Sequence, residues 1–180
     1  QSLFLICNRE GRESLQRVDL ASGQIHPVPG LEEYAQLSQI QVSATGHVAL
    51  IASGPHTPAR VLTIDALDGR VRVRARSASE PLPPDAFSTP RHISWSAADG
   101  GRVYGIYYPP VRSLPSTTSK PPLVVMVHGG PTSQALAGYS PRAQFLATRG
   151  YAVLDVNYRG STGYGRAYRD CLRGQWGVLD

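Results

Sequence analysis

His128, Gly129, Gly130 and Pro131 follow directly on the apolar run Leu123 to Val127, and their types and order suggest acyl-transfer chemistry. Paired glycines at the end of a strand let the backbone turn sharply and present its N–H groups. Donors held in that way stabilise the oxyanion of a tetrahedral intermediate. His128 has two readings, a catalytic base or a structural donor that fixes the turn. A base needs a nucleophile within hydrogen-bond reach. Ser133 and Thr132 are the nearby hydroxyls, and neither sits on a strand-to-helix elbow. No G-x-S-x-G sequence occurs in the chain, so one half of a hydrolytic device is legible and the other is not. Asp155, alternating with Leu154 and Val156, is expected to anchor a loop rather than to serve a triad.

The elements around this turn read as a strand, helix, strand unit. Leu123 to Val127 is expected to be a strand buried on both faces. A helix is predicted over Pro141 to Thr148, with proline suited to its first turn and Gly150 to its C-terminal cap. Tyr151 to Val156 is predicted as a second strand, parallel to the first through a right-handed crossover. That arrangement brings the glycine-rich loop Asn157 to Gly165 beside the His128 turn, and a short helix follows over Arg166 to Leu172. Ahead of the unit, Arg91 to Ser96 and Arg102 to Tyr108 flank the turn Asp99-Gly-Gly101 as a hairpin. Pro109 to Pro122 is a surface loop.

The first 78 residues carry an internal repeat. Leu5, Leu15, Val18, Asp19, Gly23 and Ile25 recur as Ile51, Val61, Ile64, Asp65, Gly69 and Val71 at a constant offset of 46 positions. Each copy reads strand, loop, strand, glycine turn, strand, which is hairpin chemistry. A period in the forties is that of β-propeller blades. A small antiparallel sandwich with a chance match is the competing reading. The proline-rich passage from Ser79 to Pro90 marks a crossing between domains, placing them at residues 1–86 and 87–180.

Composition excludes several function classes. The net charge of +5 in 180 residues is carried by arginine, Lys120 being the single lysine. Arg70, Arg72, Arg74 and Arg76 alternate with small apolar residues, giving a strand with one cationic and one apolar face. Without a nucleic-acid motif, this reads as a solvated face and no nucleic-acid partner is expected. The five histidines show no metal spacing, and the loop glycines fit no nucleotide fingerprint, so neither metal nor cofactor is expected. No apolar run is long enough for a membrane span. Cys7 and Cys171 match no redox or metal pattern, which favours a cytoplasmic setting. The chain starts at Gln1 without an initiator Met or a charged leader, and reads as processed or truncated.

HGGP at 128–131, YAVLDV at 151–156, NYRGSTGYGR at 157–166, and LRGQWG at 172–177 with Asp180 resemble the prolyl oligopeptidase family of serine peptidases. The acylaminoacyl-peptidase and dipeptidyl-aminopeptidase branch is nearest. The resemblance covers roughly the last ninety residues, and it implies final propeller blades followed by the N-terminal part of an α/β-hydrolase domain. It implies a parent enzyme that cleaves short peptides. The Gly130 amide would donate to the oxyanion, while His128, Gly129 and Pro131 shape the turn near the substrate. The family's Ser, Asp and His would lie beyond Asp180, so an internal segment that is inactive alone is expected. Its partners would be the peptide substrate and the remaining segments of the enzyme, or further copies of the chain. A non-catalytic propeller-based binding module or pseudoenzyme is the alternative.

Overall fold

The computed structural model describes residues 1–65, 67–79, 83–111, 120–130 and 132–180. They form two compact units, one of residues 1–81 with 137–139, the other of residues 82–136 with 140–180.

The first unit is built from antiparallel meanders. β1 (Ser2–Arg9), β2 (Arg12–Asp19) and β3 (Ile25–Pro27) make a three-stranded sheet in chain order. β4 (Gln36–Val42), β5 (His47–Gly54), β6 (Thr57–Asp65) and β7 (Val71–Arg76) make a four-stranded one, the architecture of a propeller blade. The sequence repeat aligns β1, β2 and β3 with β5, β6 and β7. Its turns close alike: the Gly23 amide donates to Asp19 O at 2.8 Å, and the Gly69 amide to Asp65 O at 2.9 Å. Each aspartate also accepts backbone N–H bonds through Oδ1, from Ala21 and Ser22 in one turn and from Leu67 in the other. These bonds hold both carboxyls below the usual carboxylate range, the Ser22 amide acting most strongly on Asp19 and the Leu67 amide on Asp65.

Alternation along these strands sends Leu15, Leu37, Val48, Leu50, Leu62 and Ile64 into one core, joined by Val28, Leu31 and Tyr34 from the connection. Val71 and Val73 of β7 pack against it, while Arg72, Arg74 and Arg76 are exposed on the other face. The cationic stripe is therefore an exposed strand face, as the alternation implied. The two glycine turns differ in their surroundings. A Cβ on Gly69 would come within 2.7 Å of Pro29 Cγ, and one on nearby Gly30 within 2.4 Å of Gly69 O, whereas nothing lies within 4 Å of one on Gly23.

The second unit is a mixed sheet in the order β10-β11-β9-β8. β8 (Arg91–Ser96) and β9 (Arg102–Tyr108) form the expected hairpin; β10 is Leu123–Val127 and β11 is Ala152–Asn157. β10 and β11 run parallel, with Val127 opposite Val156, and β9 runs antiparallel to β11. α1 (Pro141–Ala147) packs against β11 and β9. Ser140 caps it, its Oγ accepting from the Ala143 amide at 3.3 Å, and Pro141 occupies the first turn. Buried Gln144 of α1 pairs like a backbone with Ser88, accepting from its N–H at 2.8 Å and donating to its carbonyl at 2.9 Å. α2 covers Arg166–Asp170 and ends two residues before the expected Leu172, passing into turns.

One expectation fails here. β10 is not buried on both faces, because Leu123, Val125 and Val127 are 52%, 53% and 67% exposed and only Met126 is buried. The reason is position: β10 is the edge of its sheet, and α1 lies over β11 and β9. Three aligned aliphatic side chains in water favour association. Replacing Leu123, Val125 and Val127 together by threonine is expected to reduce self-association of the chain in sedimentation velocity. Unchanged sedimentation would remove this face as the cause.

Candidate active site

The parallel register of β10 and β11 decides the site. With Val127 opposite Val156, the residues that follow, His128 and Asn157, emerge side by side at the C-terminal ends of both strands. Ligands in open α/β sheets bind at such ends.

The loop after β11 holds the turn after β10 at successive points. Ser161 Oγ lies 2.9 Å from His128 Nε2. The Tyr158 ring stacks on the imidazole at 4.5 Å between centroids, and its hydroxyl donates to the His128 carbonyl at 3.1 Å. The Thr162 amide donates to Ser133 O at 2.9 Å. Asn157, fully buried, closes the far end: Oδ1 accepts from the Ala135 amide at 2.6 Å, and Nδ2 donates to Ala135 O at 3.1 Å and to the Tyr164 hydroxyl at 2.9 Å. Behind it, Tyr104 stacks on Tyr164 at 4.3 Å, and the Tyr168 hydroxyl donates to Asn157 O at 2.7 Å. The loop is itself tied to the β8–β9 turn by an Arg159 to Asp99 ion pair. That charge-assisted bond holds the Asp99 carboxyl below its ordinary value.

Between these anchors lies Gly130, at φ 130, where a Cβ would come within 3.0 Å of Ser133 Cβ. Among the described residues no acceptor takes its N–H. Gly129 has open space around it, and Pro131 lies outside the described residues. Ser133 and Thr132 do not partner His128. Ser161 does, and it is fully buried, so its hydroxyl is not presented to solvent as a nucleophile would be. Sequence reasoning missed Ser161, Tyr158 and Asn157. The one available signal was the polar pair Asp155 and Asn157, two apart on one face of an otherwise apolar strand.

Asp155 does not anchor the loop as expected. Among the described residues its carboxylate accepts no hydrogen bond, and Asn157, two residues on, makes the anchoring bonds instead. Burial pushes the Asp155 carboxyl up, more than His128, in its protonated form, and the Arg142 charge pull it down. A raised carboxyl favours the folded state while protonated, and that advantage is lost as pH rises through its folded value. Asp155→Asn is thus expected to raise the melting temperature at neutral pH, the gain vanishing below about pH 4. Equal gains at both pH values in thermal melts would contradict the assignment.

Among the described residues there is no group of three His, Cys, Asp or Glu able to hold a metal ion. No described helix is long and apolar enough to cross a membrane. Both cysteines are free.

Residues 137–180 match the sequence family described as the prolyl oligopeptidase family. The C-terminal quarter of the chain is thus similar to the prolyl oligopeptidase family. Individual proteins resemble more of the chain. Dipeptidyl peptidase family member 6 of Caenorhabditis elegans is 40% identical over 96 residues, 53% of this chain and 12% of the relative. Dipeptidyl aminopeptidase BIII of Pseudoxanthomonas mexicana is 53% identical over 55 residues, 31% of this chain and 8% of the relative. The solved structure of a puromycin-hydrolyzing peptidase of Mycobacterium tuberculosis superposes with a TM-score of 0.86 at 34% identity, over 99% of this chain and 27% of that one. The chain spans about a quarter or less of the lengths of these relatives. Its first unit is propeller-blade sheet, and its second carries the turn and loop just described.

Proposed function

We propose that the protein containing this chain is a serine peptidase acting on short peptides, of the acylaminoacyl or dipeptidyl type. In this reading residues 1–86 are the end of a propeller and residues 87–180 the N-terminal portion of an α/β-hydrolase domain, in a cytoplasmic enzyme. Gly130 supplies a backbone oxyanion donor, and His128, Gly129 and Pro131 shape the turn against the substrate. The observation that carries it is the Gly130 N–H, without an acceptor among the described residues, at the C-terminal end of a parallel strand pair. The similarity of residues 137–180 to that family supports the reaction class.

A donor without a nucleophile gives no turnover, so this chain alone is inactive in this reading. The exposed face of β10 is where further segments of the same enzyme, or another copy, would associate. The test is parallel assay of the longer protein on an aminoacyl anilide, an acylaminoacyl substrate and a simple ester. Peptide turnover that falls about a hundredfold or more in Gly130→Ala supports the proposal. A folded longer protein without peptide turnover refutes it and leaves a non-catalytic binding module.

A further inference from the structure

The geometry points to Ser161 and His128 as a positioning pair that orients and polarises the peptide between Gly129 and Gly130. The inference rests on the reading of Gly130 as oxyanion donor, and extends it to how that donor is aimed. His128 Nδ1 lies 3.0 Å from Gly129 O. A carbonyl oxygen only accepts, so Nδ1 carries the proton. In the neutral ring Nε2 is then an acceptor, and the Ser161 hydroxyl 2.9 Å away is its donor. The Tyr158 ring stacked on the imidazole fixes its plane.

The bonded Gly129 carbonyl belongs to the same peptide unit as the Gly130 N–H. Among the described residues no peptide bond is cis. In a trans peptide C=O and N–H point in opposite directions across one rigid plane, so holding the oxygen aims the hydrogen. Hydrogen bonds in series also polarise one another. The chain Ser161 Oγ–H to His128, His128 Nδ1–H to Gly129 O, and onward through the peptide thus makes the Gly130 N–H a fixed and strengthened donor. The paired glycines leave this plane without side chains on either flank, so it would otherwise rotate freely. Removing the Ser161 hydroxyl lets the ring exchange its proton to Nε2, which turns a lone pair on Nδ1 toward Gly129 O and repels it.

Only two Gly–Gly peptides occur in the chain, Gly100–Gly101 and Gly129–Gly130. Glycine labelled with carbonyl ¹³C and amide ¹⁵N therefore gives two carbonyl-to-amide cross-peaks, one a built-in reference. The measurement uses the chain with the three threonine substitutions on β10, alone and with Ser161→Ala or Ser161→Thr. Ser161→Ala is expected to move the Gly129–Gly130 cross-peak in both dimensions and leave the other in place, and Ser161→Thr to restore it. In the longer protein Ser161→Ala should lower kcat on the order of tenfold at constant KM, less than deletion of a whole oxyanion donor, again with rescue by threonine. An unmoved cross-peak in Ser161→Ala overturns the inference, as does unchanged kcat in an active enzyme. A wild-type enzyme without turnover overturns the peptidase reading instead, and the cross-peaks still decide the positioning.

Discussion

Asn157→Ala is expected to cost the second unit about 3 kcal/mol of stability, on the basis of roughly 1–3 kcal/mol for each buried polar group left without a partner. Asn157 is fully buried and makes three side-chain bonds, two of them to the buried backbone of Ala135. Alanine removes all three and leaves the Ala135 N–H and carbonyl without their side-chain partner. Asn157→Asp separates the parts of this effect. A carboxylate still accepts from the Ala135 amide but faces the Ala135 carbonyl with a second oxygen, so it should be destabilised at neutral pH and recover in acid on protonation. Urea titration with unchanged m reads both variants. A loss under about 1 kcal/mol in Asn157→Ala would mean that the turn is held without this residue. Because the segment from His128 to Ala135 carries Gly130, the same substitution should also reduce turnover in the longer protein.

The other large effect is in the first unit. Leu62 lies in β6, opposite Leu50 of β5 and Val73 of β7, and is fully buried in the core that joins the two sheets. Leu62→Ala removes a branched side chain from between two others, and β-sheet backbone does not collapse to fill the gap. A loss of about 3 kcal/mol is expected, within the range of roughly 2–5 kcal/mol for buried leucine truncations. Leu67, 76% exposed in the turn between β6 and β7, provides the contrast, and its truncation should be nearly neutral. Comparable losses at both positions would show that the repeat is not packed as described.

How much of this was legible depended on the range of the forces involved. The turns at Asp19 and Asp65 are closed by their own residues, so two copies at a constant offset revealed two hairpins of one design. The ends of α1 were equally local: Pro141 at one end, Gly150 with φ 90 just past the other. The run Leu123 to Val127 was different. Five apolar residues in succession specify a strand, but they do not tell which faces receive a cover, and that was settled by where α1 lies. At the site, His128 and the two glycines were legible because a sharp turn needs them. Ser161 was not, since the direction of a side chain from a glycine loop depends on the path of that loop, set here by Arg159, Thr162 and Gly160. Asp155 was misassigned for a related reason. Strand alternation gave its face correctly, while the role of anchor fell to the next residue on that face, nearer the strand end.

The two glycine turns of the repeat lie in unlike surroundings. Gly69 is pressed against Pro29, and its carbonyl in turn leaves no room for a side chain on Gly30, whereas Gly23 opens on empty space. Both need positive φ, at 71° and 73°, so asparagine would serve the first turn at little cost and would not fit in the second. The two copies of the hairpin are thus under unequal constraint: the first is free to diverge and the second is not. Any erosion of the internal symmetry should therefore begin at Gly23, and a search for the repeat in distant sequences should weight the Asp65 to Gly69 copy more heavily.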